Sequence, residues 1–311
     1  MATSHTLTEL PSLDDAAVRA FRTKLRGRLL RPADPGYDEA RRVWNGMVDR
    51  YPALIARCAG AADVVAAVRF ARAHDLAVSV KGGGHGVAGK AVCDGGLMID
   101  CSPMRGIVVN PVRRTVRAGG GVTWGVFDRA TQAHGLATTG GVIPSTGIAG
   151  LTLGGGIGFL MRHYGLSCDN LIGAKVVTAD GEMLNADEAE HADLFWGLRG
   201  GGGNFGVVTS FTYRLHPVGP TVLGGAIAYP LADARAVARR YRAFTATAPD
   251  EVTTYLNFGS DPDGEPVVSL VVCYGGPPEG GEKVVAPLRA GGQSIADTVR
   301  WRPYLEMQSR R

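Results

Sequence analysis

The stretch Val80-Lys81-Gly82-Gly83-Gly84-His85-Gly86-Val87-Ala88-Gly89 constrains this chain more than any other. A hydrophobic strand runs into glycines that flank a single histidine. Glycine lets consecutive backbone N–H groups turn toward an anion with no Cβ in the way. The loop therefore reads as a cradle for a diphosphate, with an imidazole nucleophile beside it.

Two familiar phosphate motifs match by letter. Gly84, Gly86 and Gly89 satisfy G-x-G-x-x-G, and Gly84 to Lys90 satisfies G-x-x-x-x-G-K, but Ala91 stands where a nucleotide triphosphatase needs Ser or Thr for magnesium. Both motifs also need a helix next, whereas the chain continues into a turn and a short apolar strand ending at Ile99-Asp100. No helix dipole is then available. A second match at Gly201, Gly203 and Gly206 precedes the strand Val207 to Phe211 instead of coming after one, and fails the same test.

Four further blocks lie in order along the chain: Gly140-Gly141-Val142-Ile143-Pro144-Ser145-Thr146-Gly147, Leu153-Gly154-Gly155-Gly156-Ile157-Gly158, Tyr164 to Leu171, and Asp193 to Val208. Together with the histidine loop, they resemble the flavoproteins related to berberine bridge enzyme, within the vanillyl-alcohol oxidase superfamily, over roughly residues 40–220. The resemblance implies an α+β chain in three parts. Residues 1–48 are an N-terminal helical leader, 49–218 a PCMH-type FAD-binding domain of two α/β subdomains, and 219–311 an incomplete α+β substrate domain, with Pro217 and Pro220 at the second boundary. Against that resemblance the chain looks shortened, with about the last third of the family pattern expected to be absent.

The cofactor implied is FAD. His85 aligns with the histidine that bonds covalently to the flavin 8α-methyl group, whose deprotonated form is an electrophile that a neutral imidazole can attack. Gly82, Gly83, Gly84 and Gly86 would cradle the diphosphate, and Gly141, Ser145, Thr146, Gly147, Gly150, Gly154, Gly155 and Gly158 would lie along the cofactor. Val207, in the block from Asn204 to Val208, would approach it from the end of the domain. Tight turns and a strand start are the plain alternatives for the same residues. Many relatives carry a second link through cysteine, but Ile143 holds that place here, so the resemblance implies a single histidyl link. Cys168 reads as a packed thiol. His134, His163, His191 and Lys81 carry no specific signal.

The implied activity is hydride removal from a carbon bearing hydroxyl or amine on a small molecule, with dioxygen or another acceptor closing the cycle. The flavin does the hard chemistry, and the catalytic base is not legible. The competing readings are a flavin-binding remnant without turnover, or a piece that needs a partner chain.

Composition agrees with these limits. The 45 glycines in 311 residues are clustered without a triplet period, which argues against collagen and disorder. A net charge of +4 with no basic run interleaved with aromatics argues against nucleic acid. No metal-type spacing joins the five cysteines, which read as free thiols. Met1 to Leu7 shows no secretory signal, so a cytoplasmic location is expected. Ala130 to Met161 holds no charged residue but nine glycines, which makes a buried cofactor-lining stretch a better reading than a membrane helix. Oligomeric state is not legible.

Helical spacing is expected over Asp14 to Leu30, Ala61 to His74, Trp124 to His134, His191 to Leu198, Ala232 to Thr247 and Gly281 to Ala290. Strands are expected at Ala77 to Val80, Gly106 to Val109, Thr115 to Ala118, Ile172 to Thr178, Val207 to Leu215, Leu223 to Tyr229, Val252 to Phe258 and Pro266 to Tyr274. The last part of the chain is expected to leave an apolar sheet face uncovered.

Overall fold

The computed structural model describes residues 13–290 and 292–309; the expectation drawn from Met1 to Leu7 lies outside them. Helix α1 (Asp15–Lys24) starts at Asp14, whose carboxylate accepts from the Ala16 amide at 3.0 Å. The helix stops short of Leu30 for a tertiary reason. Asp63 takes the amides of Arg26 and Gly27 at 2.9 and 3.0 Å, which turns the chain so that Arg28–Leu30 becomes strand β1.

Next come helix α2 (Tyr37–Arg41), strand β2 (Leu54–Arg57), helix α3 (Ala61–Ala73) and strands β3 (Val78–Lys81) and β4 (Leu97–Asp100). The sheet order is β1-β2-β4-β3. Strands β2 and β3 both run parallel to β4, and β1 adds an antiparallel edge from the segment expected as a separate leader. Val64, Ala67, Val68 and Ala71, at helical spacing, bury one face of α3 in the core with Leu54, Leu97 and Ile99.

The next layer holds β5 (Ile107–Asn110), β6 (Thr115–Gly119), α4 (Trp124–Gln132), β7 (Leu136–Ala137), α5 (Ile148–Leu153), α6 (Met161–Tyr164), β8 (Leu171–Val177), β9 (Met183–Ala186), α7 (Ala192–Leu198) and β10 (Val207–Arg214). Its sheet, β5-β6-β10-β8-β9, is antiparallel throughout, so of the two expected α/β subdomains only the first has parallel strands. Short turns return the chain directly between β5 and β6 and between β8 and β9, whereas the segment holding α4, α5 and α6 carries it from β6 to β8 and α7 carries it from β9 across β8 to β10. Trp124, Phe127, Phe211 and Tyr213 pack at its centre, mostly edge to face, and Tyr213 shares a 2.8 Å hydrogen bond with Thr152 of α5. Helix α5 is not among the expected elements; it lies in the charge-free, glycine-rich stretch.

Strand β11 (His216–Pro217) pairs with β7, and then come β12 (Thr221–Pro230), α8 (Ala234–Thr245), β13 (Val252–Ser260), β14 (Pro266–Tyr274), α9 (Pro278–Arg289), β15 (Ala296–Asp297), β16 (Arg300–Pro303) and α10 (Tyr304–Gln308). These strands form a third antiparallel sheet in the order β13-β14-β12, with β15 and β16 both on the far side of β12. One face packs on α8 and α9 through Val237, Val285 and Leu288. The other face, expected to be uncovered, is not. Phe159, Leu160, Tyr304 and Met307 close over Val222 and Cys273, joining this sheet to the preceding layer. What stays open is the far half of β13, where Phe258 is 63% exposed, and the short edge strand β15.

Candidate functional site

Strand β3 delivers the histidine loop at the carboxyl end of the first sheet, where the antiparallel layer meets it. Trp44 donates its amide to the Gly84 carbonyl at 2.9 Å, and the Asn45 amide group donates to the Val87 carbonyl at 2.7 Å. The segment around residue 44 thus straps the loop from outside. Lys81 fastens the same segment by donating to the carbonyls of Ala40 and Arg42 at 2.7 and 2.8 Å. Burial pulls its ammonium below the usual lysine range.

From the inside, the loop packs on the Ser145–Gly147 turn. A Cβ on Gly83 would overlap the Gly147 backbone, and one on Gly147 would overlap Gly83, so these two glycines are required by each other. Gly82 lies 3.0 Å, measured from an added Cβ, from the Gly120 carbonyl. Gly120 in turn donates its amide to Thr209 of β10 at 3.1 Å. The turn also caps α4: the amides of Trp124 and Gly125 donate to the carbonyls of Thr146 and Pro144, both at 2.9 Å.

His85 sits at this junction. Its Nε2 lies 2.8 Å from Ser145 Oγ, and its ring stacks on Trp44 with centroids 5.4 Å apart. Partial burial lowers its pKa, which keeps the imidazole neutral at neutral pH. Nε2 is engaged by the hydroxyl, and the ring's orientation is set by that contact and by Trp44.

The loop's own amides are unspent. Among the described residues, no backbone N–H from Gly82 to Val87 donates to a protein acceptor, although Gly84 is buried. Such a run of unpaired donors suits an anion. At its foot is a cavity of about 250 Å³ lined by Arg57, Lys81, Gly82, Gly83, Arg105 and Thr123 among others. Asp100 is 1% exposed there and holds Arg57 Nε at 3.1 Å. A Cβ added at Gly86 or Gly150 meets no protein atom within 4 Å, so both border open space.

The structure brings Gly82, Gly83, Gly84, His85, Gly86, Ser145, Thr146 and Gly147 together. Gly141 lies beside them against Trp124 and Leu151, Gly150 is within α5, and Gly154 ends that helix. Gly155 adopts φ +106°, and Gly158 is pressed against the Gly140 carbonyl. The Val207 side chain is buried in the core of the first layer with Leu97 and Ile99. Arg162 and Tyr164 are held by protein partners: Arg162 donates to the Ala248 carbonyl at 2.9 Å, and Tyr164 stacks on His216. Sequence reasoning missed Trp44, Asn45, Arg57 and Arg105, which lie outside the glycine blocks. It also passed over Gly119-Gly120-Gly121, a visible triplet. Among the described residues no group of His, Cys, Asp or Glu is placed to hold a metal, and no helix is long and apolar enough to cross a membrane.

Comparison with known proteins agrees with this geometry. Residues 52–187 match the family described as FAD binding domain. The chain is 35% identical over 289 residues to (R)-6-hydroxynicotine oxidase of Paenarthrobacter nicotinovorans, covering 91% of this chain and 62% of that protein. Among solved structures, 6-hydroxy-D-nicotine oxidase from Arthrobacter nicotinovorans is similar with TM-score 0.87 at 34% identity, over 91% of this chain and 63% of that one. Xylooligosaccharide oxidase from Myceliophthora thermophila, solved with xylobiose, is similar with TM-score 0.83 at 25% identity, over 94% of this chain and 62% of that one. The chain thus spans under two thirds of the length of these relatives.

Proposed function

We propose, from the premise that this chain belongs with the berberine bridge enzyme-like FAD-linked oxidoreductases and that residues 52–187 are its FAD-binding domain, that it oxidises a small organic molecule at a carbon bearing an amine or hydroxyl. The observation that carries this reading is the run of unpaired amides from Gly82 to Val87, set around a neutral, oriented histidine. When bound, FAD supplies the hydride acceptor, and dioxygen or another oxidant completes the cycle.

The chain's own residues supply binding and orientation. The Gly82–Val87 amides hold the diphosphate, and Arg105 at the cavity adds positive charge beside it, while Arg57 is paired with Asp100. The open faces of Gly86 and Gly150 leave room for the cofactor to approach the backbone. Gly141, Ser145, Thr146, Gly147, Gly154, Gly155 and Gly158 form the wall along which it lies, with Val207 fixing the strand behind. Ser145 sets the His85 ring, and His85 carries the sole covalent link. No second link forms at Ile143, a side chain 42% exposed that offers no nucleophile. The relatives' names, nicotine and oligosaccharide oxidases, span amine and hydroxyl substrates alike. The five free thiols, four of them buried, suit a reducing compartment, and we place the protein in the cytoplasm.

The test has two parts. Protein purified with FAD is expected to stay yellow after acid precipitation, with a mass raised by one flavin, while His85→Ala releases its FAD. A mass equal to the polypeptide alone, in a sample flavin-replete before denaturation, overturns the covalent link. Anaerobic mixing with a panel of cyclic amines and oligosaccharides is expected to bleach the flavin with at least one class; no bleaching by any of them counts against the oxidase reading.

A further inference from the structure

Below the Gly140–Gly147 turn lies a buried polar cluster that the cofactor site does not use. Asp128 projects from α4 one turn after Trp124 and is 1% exposed; Gln308 and Tyr304 of α10 are 2% and 0% exposed. Gln308 Nε2 donates to Asp128 Oδ2 at 3.0 Å and reaches the Gly141 carbonyl at 3.4 Å. Three oxygens in the cluster have no hydrogen-bond partner among the described residues: Asp128 Oδ1, Gln308 Oε1 and the Tyr304 hydroxyl.

A buried carboxylate with no cation is costly, and leaving its second oxygen unpaired adds to the cost. The Gly141 carbonyl fixes which end of the Gln308 amide is the NH₂, because the reverse orientation would set an acceptor against it. The Gln308 oxygen and the second Asp128 oxygen are then both acceptors without a donor among the described residues. Two acceptors repel; an acid proton on Oδ1 turns the pair into donor and acceptor.

We infer that Asp128 and Gln308 form a carboxylic acid–carboxamide pair that fastens α10 to α4 and, through the Gly141 carbonyl, positions the Gly140–Gly147 turn. Asp128 O–H donates to Gln308 Oε1 while Gln308 N–H donates to Asp128 Oδ2, so a small rotation satisfies both unpaired oxygens and leaves no net charge. The positioning role rests on the proposed place of that turn along FAD. Both residues are positioning residues, since neither reaches the loop histidine.

The surroundings favour the neutral acid. Facing Asp128 are Trp124 on its own helix, Tyr304 and Gln308 from α10, and the Gly141 carbonyl; Cys273 of β14 and Tyr255 of β13 lie behind Tyr304. Burial pushes the Cys273 thiol and the Tyr255 phenol up to about 12 and the Tyr304 phenol well above its usual range, so none is charged near neutrality. Burial likewise raises Asp128 to about 7, partly opposed by Gln308. Such a group stabilises the fold fully below its unfolded pKa, near 4, and that stability is lost as pH rises through the folded value.

The decisive measurement is an infrared difference spectrum of wild type against Asp128→Asn at pH 5.5, expected to show a protonated carboxylic C=O band in wild type. Melting temperatures of the flavin-loaded proteins between pH 5 and 8 provide the second readout. Wild type is expected to lose several degrees relative to Asp128→Asn, which keeps a neutral partner of the same shape. To test positioning, FAD affinity is measured in the His85→Ala background, where the cofactor exchanges. There Asp128→Ala and Gln308→Ala are each expected to weaken binding by about tenfold, and Asp128→Asn to restore it, in line with loss of one to two net hydrogen bonds. A missing carboxylic band with parallel melting curves overturns the pair, and unchanged FAD affinity in the alanine variants overturns the positioning role. Wild type that takes up no FAD overturns the cofactor reading and the positioning role with it, while the infrared band and the melting curves of the flavin-free protein still decide the pair.

Discussion

Gly83 and Gly86 sit three residues apart in one loop and are glycine for different reasons. At Gly83 a side chain would collide with the Gly147 backbone, which cannot yield without moving the α4 cap. Gly83→Ala is expected to cost about 1–3 kcal/mol in urea denaturation, as other overpacked sites do. Gly86→Ala meets no protein atom and is expected to leave stability within about 0.5 kcal/mol while weakening FAD binding. Equal losses of stability at the two sites would show that both glycines serve the fold alone. His216 makes a second residue-scale case. Asn170 spends its NH₂ on the carbonyls of Tyr164 and Leu166, so its Oδ1 accepts from His216 Nε2–H at 2.6 Å. Burial, and then the charge of Arg214, lower the imidazole to about 4. The unfolded chain therefore takes up a proton that the folded one refuses, and stability falls as pH drops from about 6.5 toward 4. After allowance for solvent screening of a half-buried ring, a loss of about 1–2 kcal/mol is expected. A His216→Gln variant whose pH profile matches wild type over that window would rule this out.

At the scale of elements, single side chains decide where helices stop. Asp63, 1% exposed in the first turn of α3, accepts from the amides of Arg26, Gly27 and Ala59 at 2.9, 3.0 and 2.7 Å. One carboxylate thereby ends the α1 segment, starts β1 and anchors the approach to α3. Asp63→Ala would leave three amides without their acceptor, and a loss of about 3 kcal/mol or more is expected by chemical denaturation, with Asp63→Asn recovering part of it. A change below about 0.5 kcal/mol would mean that water replaces the carboxylate without penalty. The spacing of apolar residues over Asp14 to Leu30 could not show this, because the residue that ends the helix lies some 36 positions away. By contrast, α3, β14 and β10 depend on local periodicity and are legible in the sequence almost to their ends.

For the molecule as a whole, the third sheet is covered on both faces near the junction and open along the outer half of β13 and at the short edge strand β15. Degradation throughout residues 221–311 is therefore not expected. Limited proteolysis should cut first in the turn between β13 and β14, where Asp263, Gly264 and Glu265 are exposed and Phe258 leaves the edge unprotected. Early cleavage within β14 or α9, read by mass spectrometry of the fragments, would show that the sheet is looser than its packing. The same junction, through Phe159, Leu160, Tyr304 and Met307, ties the last layer to the cofactor-binding layers. Loosening it should therefore be felt at the Gly140–Gly147 turn.

By itself the sequence determined the glycine blocks, the histidine among them, the absence of a helix after the first loop and the alternation of most strands. These are local properties: backbone freedom, residue chemistry and the period of apolar side chains. Tertiary structure decided which loops meet. Only in the fold does Ser145 face His85 across sixty positions, does Trp44 stack on that ring, and does Gln308 reach Asp128 from the last described helix. The physical reason is that each such contact gains its strength from burial and close fit between distant segments, and nothing in the nearby sequence records the distant partner.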